Sequence, residues 1–222
     1  MEKFYVYNHS SENMKEIENE NIDLIITDPP WNMGVKFGTH VDSQPEEEYQ
    51  DMLMKIIFEM FRVIKKDGFC VVICANKIKS KNKIISLPKL YCKLFKRAGF
   101  NCVQKIPVNF KEPEKANWSE WSIMPLTEEG YFLVFSKTKQ NISIKNENKT
   151  YYFDPKEGHP CTFTNKMVED ILDLFFEKGD SVLDPFMGTA TLGAEVIRRG
   201  GAFFGYEIEK QFFETAKSKL RK

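Results

Sequence analysis

The chain has 222 residues, of which 42% are hydrophobic and 29% are charged, and its formal net charge is zero. This length and composition suit one folded α/β domain with a large core and exclude a disordered chain. The amino terminus carries no apolar signal segment, and no apolar stretch is long enough to cross a bilayer. We therefore expect a soluble, cytoplasmic protein that has no membrane partner.

The order of the predicted elements indicates a mostly parallel sheet. Strand-like and helix-like segments alternate, which favours helices on both faces of such a sheet. The predicted strands are, in chain order, Phe4–Tyr7, Asp23–Thr27, Phe69–Ala75, Phe100–Phe110, Tyr131–Ser136, Asp180–Asp184 and Phe203–Tyr206. The predicted helices are Glu12–Ile17, a helix with a capping box at Ser43 and Glu46, Lys89–Ala98, a helix capped by Thr164, a helix from about Thr189, and Lys210–Leu220. No linker interrupts this order, so the sequence predicts a single domain over 1–222.

The cysteines and histidines form no metal-binding pattern. The five cysteines are Cys70, Cys74, Cys92, Cys102 and Cys161. They make no Cys-x-x-Cys pair, and the apolar surroundings of the first two are typical of reduced thiols in a core. The three histidines are scattered along the chain. The sequence therefore predicts reduced core cysteines, no disulfide and no metal site.

One buried-type strand ends at the tetrapeptide Asp28-Pro29-Pro30-Trp31. Open α/β sheets bind ligands at the carboxyl ends of their strands. The two prolines remove two backbone donors and stiffen the turn, which leaves the Asp28 carboxylate and the carbonyl oxygens free to accept hydrogen bonds. Such acceptors suit the exocyclic amine of a nucleic-acid base, on which the Trp31 ring could stack. The alternative is a strand-ending turn with Trp31 in the core.

A second apolar strand ends at Asp184 and leads through a glycine turn into a helix. Gly188 permits a close approach of the backbone to a ligand, and the helix amino terminus offers free N–H groups to a carboxylate. Thr189 and Thr191 add hydroxyl groups, and Glu207 follows the next strand, where a nucleotide-binding sheet places its ribose-binding acid. These features predict an adenosyl cofactor beside the amine acceptor. The alternative is an ordinary strand–turn–helix unit.

Charge is distributed unevenly along the chain. Between residues 68 and 111 there are ten Lys or Arg and no Asp or Glu. The densest part is a loop with Lys77, Lys79, Lys81 and Lys83, which are the candidates for contact with nucleic-acid phosphates. The alternative is a solvated face, and the zero net charge argues mildly for it.

Both loops and the segments around them resemble one enzyme family. The similar segments occur in family order at 22–34, 47–69, 130–137, 159–172, 182–200 and 203–220. They are similar to the amino-methyltransferases of DNA in the permuted order called the β class, in which a DPPY/W catalytic loop precedes the cofactor loop. The resemblance covers almost the whole chain. It implies S-adenosylmethionine as cofactor and a Rossmann-like methyltransferase fold, with a mostly parallel seven-stranded sheet that has one antiparallel strand.

The resemblance also implies roles for individual residues. Asp28, Pro29, Pro30 and Trp31 would form the catalytic loop that binds the target amine and stacks on the base. The cofactor would be bound by His9, Phe163, Asp184, Pro185, Phe186, Gly188, Thr189, Thr191 and Glu207. A base inside a duplex cannot be reached, so the target must flip out or be single-stranded.

Departures from the family pattern bear on specificity. Ala190 replaces a glycine in the cofactor turn, which predicts a tighter turn, and His9 stands where the family often has an Asp near the cofactor adenine. The polar segment 137–158, predicted as a loop or small hairpin, is all that remains of the target-recognition insert. We therefore expect weak or short sequence specificity, or specificity supplied by a partner chain.

The favoured interpretation is methylation of adenine N6 in double- or single-stranded DNA by direct transfer. An Asp rather than a Ser at the start of the catalytic loop favours adenine over cytosine N4 in this family. The alternatives are cytosine N4, adenine in RNA, a protein glutamine amide, and a non-catalytic subunit of a heteromer. The resemblance also implies a dimer, as is common in the family, with a homodimer or a heteromeric partner as the alternatives. It leaves a restriction companion, phage protection and an orphan regulator open as biological roles.

Overall fold

The computed structural model describes residues 3–80, 83–111, 127–140, 142, 144, 148–152 and 164–222. Its strands are β1 (Phe4–Tyr7), β2 (Ile22–Thr27), β3 (Lys36–Phe37), β4 (His40–Val41), β5 (Ile64–Ala75), β6 (Lys77–Ser80), β7 (Lys83–Ser86), β8 (Asn101–Lys111), β9 (Glu129–Ser136), β10 (Thr150–Tyr152), β11 (Ser181–Asp184) and β12 (Ala202–Tyr206). Its helices are α1 (Glu46–Val63), α2 (Leu87–Ala98), α3 (Asn165–Phe175), α4 (Thr191–Arg198) and α5 (Lys210–Leu220). Among these helices, none is long and apolar enough to cross a membrane.

Eight strands form one mixed sheet in the order β1-β12-β11-β2-β5-β9-β8-β10. Only β9 runs antiparallel to its neighbours β5 and β8, and the other pairs are parallel. The predicted fold class and its single antiparallel strand are confirmed. The eighth strand is β10, which lies in the segment predicted as a loop or hairpin and pairs with the edge strand β8. Its buried Tyr151 packs 5.6 Å from the Phe132 ring, which explains why so short a segment joins the sheet.

Helices cover both faces of the sheet because successive side chains on its central strands point to opposite sides. Ile25 of β2 packs in one core cluster with residues of α1 and α2. Leu24 and Ile26 on either side of it pack in a second cluster with residues of α3, α4 and α5. This arrangement leaves the ends of the strands free to carry the functional loops.

The described cysteines are free thiols. Cys70 and Cys74 are fully buried in the core, as predicted. Cys92 is partly buried and Cys102 is exposed at the start of β8, so the prediction of a core position is wrong for Cys102. Cys161 lies outside the described residues.

The helix predicted over Glu12–Ile17 is wrong, since the segment forms turns. Met14 and Ile17 are both buried, and their spacing of three residues is also typical of one face of a helix. The Glu59 carboxylate accepts from Met14 N at 2.7 Å, and the Arg62 guanidinium donates to both Met14 O and Ile17 O at 2.9 Å. Side chains of α1 therefore take the backbone groups that a helix would have paired internally.

The capping box at Ser43 and Glu46 is also wrong, because α1 begins at Glu46 with Pro45 as its N-cap. Gln44 is paired through its backbone to the Asn32 side chain in both directions, at 2.8 and 3.0 Å, which holds the chain in place before Pro45. The N-cap, Pro45, therefore lies two residues after the predicted cap, Ser43.

Two other helix ends are as predicted. Thr164 caps α3 by accepting from Met167 N at 3.2 Å, and Gly99 ends α2 with a left-handed backbone at φ +105°. The lysine-rich segment is an antiparallel β6–β7 pair rather than a loop. We call strands β6 and β7 together the lysine hairpin. Buried Ile78 and Ser80 alternate with exposed lysines in its first strand, and this burial holds the strand in place.

Candidate active site

The two predicted loops meet at one edge of the sheet. Strands β1, β12, β11 and β2 are parallel neighbours, so the residues that follow them lie side by side at their carboxyl ends. These residues include His9, Glu207, the end residue Asp184, and Asp28. A cavity of about 280 Å³ opens there, and it is lined by residues of both loops. We call it the main cavity.

A buried hydrogen bond joins the strands that carry the two loops. Thr27 Oγ1 donates to Asp184 Oδ1 at 3.0 Å across 157 positions of sequence, and Phe186 N donates to the same oxygen at 3.0 Å. Burial raises the pKa of Asp184 to about 7, against these two hydrogen bonds. Asp184 Oδ2 is buried and has no hydrogen-bond partner in the part of the chain that the structure describes. An enclosed acceptor of this kind favours a positively charged or N–H-bearing ligand.

Asp28 lines the main cavity, and packed atoms surround most but not all of its carboxyl group. The pKa of Asp28 is raised to about 8, mainly by burial. The hydrogen bond from Trp31 opposes this rise, and the charge of Asp184 adds to it. Trp31 Nε1 donates to Asp28 Oδ1 at 2.9 Å. Within the described residues Asp28 Oδ2 has no hydrogen-bond partner, and it is not sealed from the cavity. The indole thus orients the carboxyl group and leaves one acceptor available.

The proline turn is held from behind by two tyrosines. Tyr49 OH of α1 donates to Pro30 O at 2.7 Å and lies 3.4 Å from Tyr91 OH of α2. Both tyrosine rings are buried, and Pro29, which precedes Pro30, is buried as well. After the turn, Asn32 adopts a left-handed backbone at φ +59° and its carbonyl accepts from Ser80 Oγ at 2.8 Å. The proline turn is therefore anchored at two points, Pro30 O and Asn32 O.

The cofactor loop reverses direction through two left-handed residues. Gly188 has φ +50° and Ala190, the N-cap of α4, has φ +55°. The alanine thus keeps a conformation that glycine adopts with less strain. Gly188 N donates to Glu207 Oε2 at 3.0 Å, and Glu209 N donates to Glu207 Oε1 at 2.7 Å. Burial raises the pKa of Glu207, whose carboxyl group faces the main cavity from the end of β12.

His9 lines the same cavity from the end of β1. Its Nε2 lies 3.2 Å from Glu16 Oε1, and Tyr206 OH donates to Glu16 Oε2 at 3.2 Å. The His9 ring meets the Tyr206 ring edge-on with 5.3 Å between centroids. His9 is therefore held by a carboxylate and an aromatic ring at the cavity wall.

Sequence reasoning missed the segment that forms another wall of the main cavity. Strands β3 and β4 make a short antiparallel pair, and Phe37 and His40 from it line the cavity. Thr39 donates to the Glu209 carboxylate through its N, at 3.0 Å, and through its Oγ1, at 2.7 Å. Gly38 has φ +60°, and a Cβ there would lie 2.5 Å from Glu209 Oε2. The Gly38-Thr39 pair is the sequence signal for a turn at this position. Strands of two residues give no periodic pattern, so the sequence does not reveal the strand pair on either side of the turn.

Eleven of the thirteen residues predicted for the catalytic loop and the cofactor line the main cavity. They are His9, Asp28, Pro29, Pro30, Trp31, Pro185, Phe186, Gly188, Thr189, Thr191 and Glu207. Asp184 lies directly behind them, bonded to Phe186 N. Phe163 and Lys81 fall outside the described residues. Lys77, Lys79 and Lys83 are exposed on the lysine hairpin, away from the cavity lining.

The lysine hairpin presents two free positive charges. In the described part of the chain, Lys77 and Lys79 have no ion-pair partner, whereas Lys83 Nζ lies 2.9 Å from Glu46 Oε2. That pair is exposed on both sides, so it contributes little to stability. The two free lysines are the better candidates for contact with an anionic partner.

The sequence of residues 22–218 matches the family model described as DNA methylase, of the N6-adenine and N4-cytosine type. The chain belongs to this DNA methylase family. It is 25% identical to the DNA adenine methyltransferase YhdJ of Escherichia coli K12, with 98% of this chain and 82% of that protein covered. It is also 25% identical to the type II methyltransferase M.HpaI of Haemophilus parainfluenzae, with 99% and 74% covered.

Solved structures share the fold of this DNA methylase. The PvuII DNA methyltransferase, described as cytosine-N4-specific, has a TM-score of 0.74 at 18% identity, with 98% of this chain and 86% of that chain covered. M1.HpyAVI in complex with S-adenosylmethionine has a TM-score of 0.66 at 21% identity, with 99% and 100% covered. The chain is therefore an S-adenosylmethionine-dependent DNA methyltransferase.

The main cavity fits the chemistry of S-adenosylmethionine. The cofactor carries a positive sulfonium and an ammonium group, and Glu207 lines the cavity. The buried Asp184 carboxyl, whose Oδ2 is unpaired among the described residues, lies behind the lining and does not form part of it. Thr189 and Thr191 add hydroxyls at the amino end of α4, where free backbone N–H groups suit a carboxylate. When bound, the cofactor supplies an electrophilic methyl group to the cavity.

Proposed function

We propose that this methyltransferase transfers the methyl group to the N6 amino group of adenine in DNA, with weak or short sequence specificity. The observation that carries the proposal is the free Asp28 Oδ2 at the main cavity, held in place by the Trp31 indole. A fixed acceptor beside the cofactor loop suits an exocyclic amine. The opening Asp of the DPPW loop and the 25% identity with an adenine methyltransferase support adenine over cytosine.

The chemistry asked of Asp28 follows from the electronic structure of the target. The lone pair of an exocyclic amine is delocalised into the ring, so the nitrogen is a weak nucleophile. Asp28 Oδ2 and the Pro29 carbonyl accept its two N–H bonds, which favours a more tetrahedral nitrogen. The same acceptors stabilise the positive charge that develops on nitrogen as the methyl group arrives. Transfer is direct and in line: the N–C bond forms as the bond between the methyl carbon and the sulfonium sulfur breaks, which leaves a neutral thioether. The extra proton on nitrogen passes to Asp28 Oδ2, which already accepts the N–H hydrogen bond.

Trp31 has two roles in this scheme. Its Nε1–H fixes one Asp28 oxygen, so the carboxyl group does not have to reorganise during the reaction. Its ring, which is partly buried at the cavity wall, stacks on the base. Stacking of a base on an aromatic side chain contributes about 1–3 kcal/mol, which helps to offset the cost of taking the base out of a duplex.

Lys77 and Lys79 supply phosphate contacts that do not depend on sequence. The polar segment 137–158 has 22 residues, which is short for a segment that reads bases, and this length supports weak specificity. We propose one domain over 1–222 with the DNA strand running from the lysine hairpin to the main cavity.

The decisive experiment is incubation of the protein with labelled S-adenosylmethionine and unmethylated DNA, followed by nucleoside mass analysis. We expect N6-methyladenine as the product, and a parallel RNA substrate tests the nucleic-acid class. Asp28→Ala should remove most of the activity and leave the calorimetric affinity for S-adenosylhomocysteine unchanged, because Asp28 contacts the amine. N4-methylcytosine as the product would refute the adenine assignment, and an active Asp28→Ala variant would refute the role of Asp28.

A further inference from the structure

A second cavity, of about 420 Å³, lies between α1, the lysine hairpin and the start of α2. We call it the hairpin cavity. Its apolar wall consists of Ile78, Ile85, Leu87 and Leu90. Trp31 and Gln44 line both this cavity and the main cavity, so the two spaces meet at these side chains.

Gln44 brings an unpaired polar atom to this junction. Its Oε1 is buried and has no hydrogen-bond partner in the ranges that the structure describes. Its backbone is clamped by Asn32, which is in turn bonded to Ser80 of the lysine hairpin. The backbone of Gln44 is therefore held at the junction, and an enclosed side-chain acceptor without a donor is costly to maintain. A ligand with an N–H group would remove that cost.

The walls define the chemistry of the ligand. An aromatic ring and aliphatic side chains suit a flat group with apolar faces, and Gln44 Oε1 suits an N–H on the edge of that group. Lys83 and its ion-pair partner Glu46 both line the cavity, so this pair adds little net charge. The exposed Lys79 on the same hairpin has no ion-pair partner among the described residues, and it favours a ligand that carries negative charge outside the cavity. A nucleobase attached to a phosphate backbone has all three properties.

We propose that the hairpin cavity binds the base that neighbours the target base on the same DNA strand, with Trp31 between the two bases and Gln44 as the residue that reads the neighbour. The proposal rests on the proposed function, since it requires the target base in the main cavity. It gives this short chain a preference at one flanking position without a recognition insert. Two bases leave the stack together, which favours single-stranded or distorted DNA as substrate.

The test uses binding of a single-stranded oligonucleotide that carries fluorescent 2-aminopurine at either position next to the target adenine. Stacking on Trp31 should change the fluorescence at one of the two positions. Ile85→Trp fills the hairpin cavity and should abolish this change. Ile84→Trp is the matched control, because Ile84 is the preceding residue on β7, is 70% exposed and does not line the cavity.

Gln44→Leu tests the reading of the neighbour. The parent should bind its preferred flanking base roughly 5- to 100-fold more tightly than the least favoured base, and Gln44→Leu should reduce this ratio to near one. The proposal fails if the parent gives no fluorescence change at either position or if Ile84→Trp and Ile85→Trp behave alike. Because these readouts measure binding, their failure is distinguishable from the absence of N6-methyladenine, which would overturn the proposed function instead.

Discussion

The raised pKa of Asp28 predicts a specific pH dependence of methylation. With a pKa of about 8, the carboxyl group is about one tenth ionised at pH 7 and about nine tenths ionised at pH 9. Only the ionised form places a full negative charge beside the amine nitrogen as it becomes positive. The kcat/KM for DNA, which reports the free enzyme, should therefore rise about tenfold between these pH values. The measurement is initial methylation rate at low DNA concentration across pH 6.5 to 9.5.

Two variants separate this explanation from other titrating groups. Asp28→Asn keeps an oxygen acceptor but cannot ionise, so its kcat/KM should be low and independent of pH over the same range. Trp31→Phe keeps an aromatic face but removes the N–H that lowers the pKa of Asp28, so its midpoint should move to higher pH. A rise of the same size in Asp28→Asn would show that another group titrates and that the reasoning about Asp28 is wrong.

Three further changes test other parts of the site and fold. Charge reversal of Lys77 and Lys79 should reduce the slope of log affinity against log salt concentration by about two for duplex DNA. Lys66→Glu, at the opposite end of the sheet, should leave this slope unchanged. Equal slopes in all variants would exclude phosphate contacts by the hairpin. Glu207→Gln should weaken the binding of S-adenosylhomocysteine, measured by calorimetry, about tenfold or more, because a charged acceptor is lost at the cavity. An unchanged affinity would contradict the assignment of Glu207 to the cofactor. Thr164→Ala should lower the free energy of unfolding by about 1 kcal/mol in urea denaturation, and an unchanged midpoint would show that the cap contributes nothing.

The sequence determined the elements with strong periodic or capping signals. The ends of β1 and α5 were predicted to the residue, since their apolar patterns begin and stop at polar neighbours. The Thr164 cap and the Gly99 stop were also predicted, because each depends on one residue type with a local physical role. The positions of the two motif loops followed from the same logic, since each loop ends an apolar strand.

Only the tertiary structure decided what depends on distant partners. Arg62 and Glu59 take the backbone groups of 14–17 and prevent a helix there, and no local pattern reveals such competition. The bond between Thr27 and Asp184 links loops that are far apart in sequence, and it exists only because β2 and β11 are neighbours in the sheet. The unpaired oxygen of Gln44 could not be predicted from the sequence either. Its burial at the junction of two cavities depends on how the whole chain packs and not on the residue type.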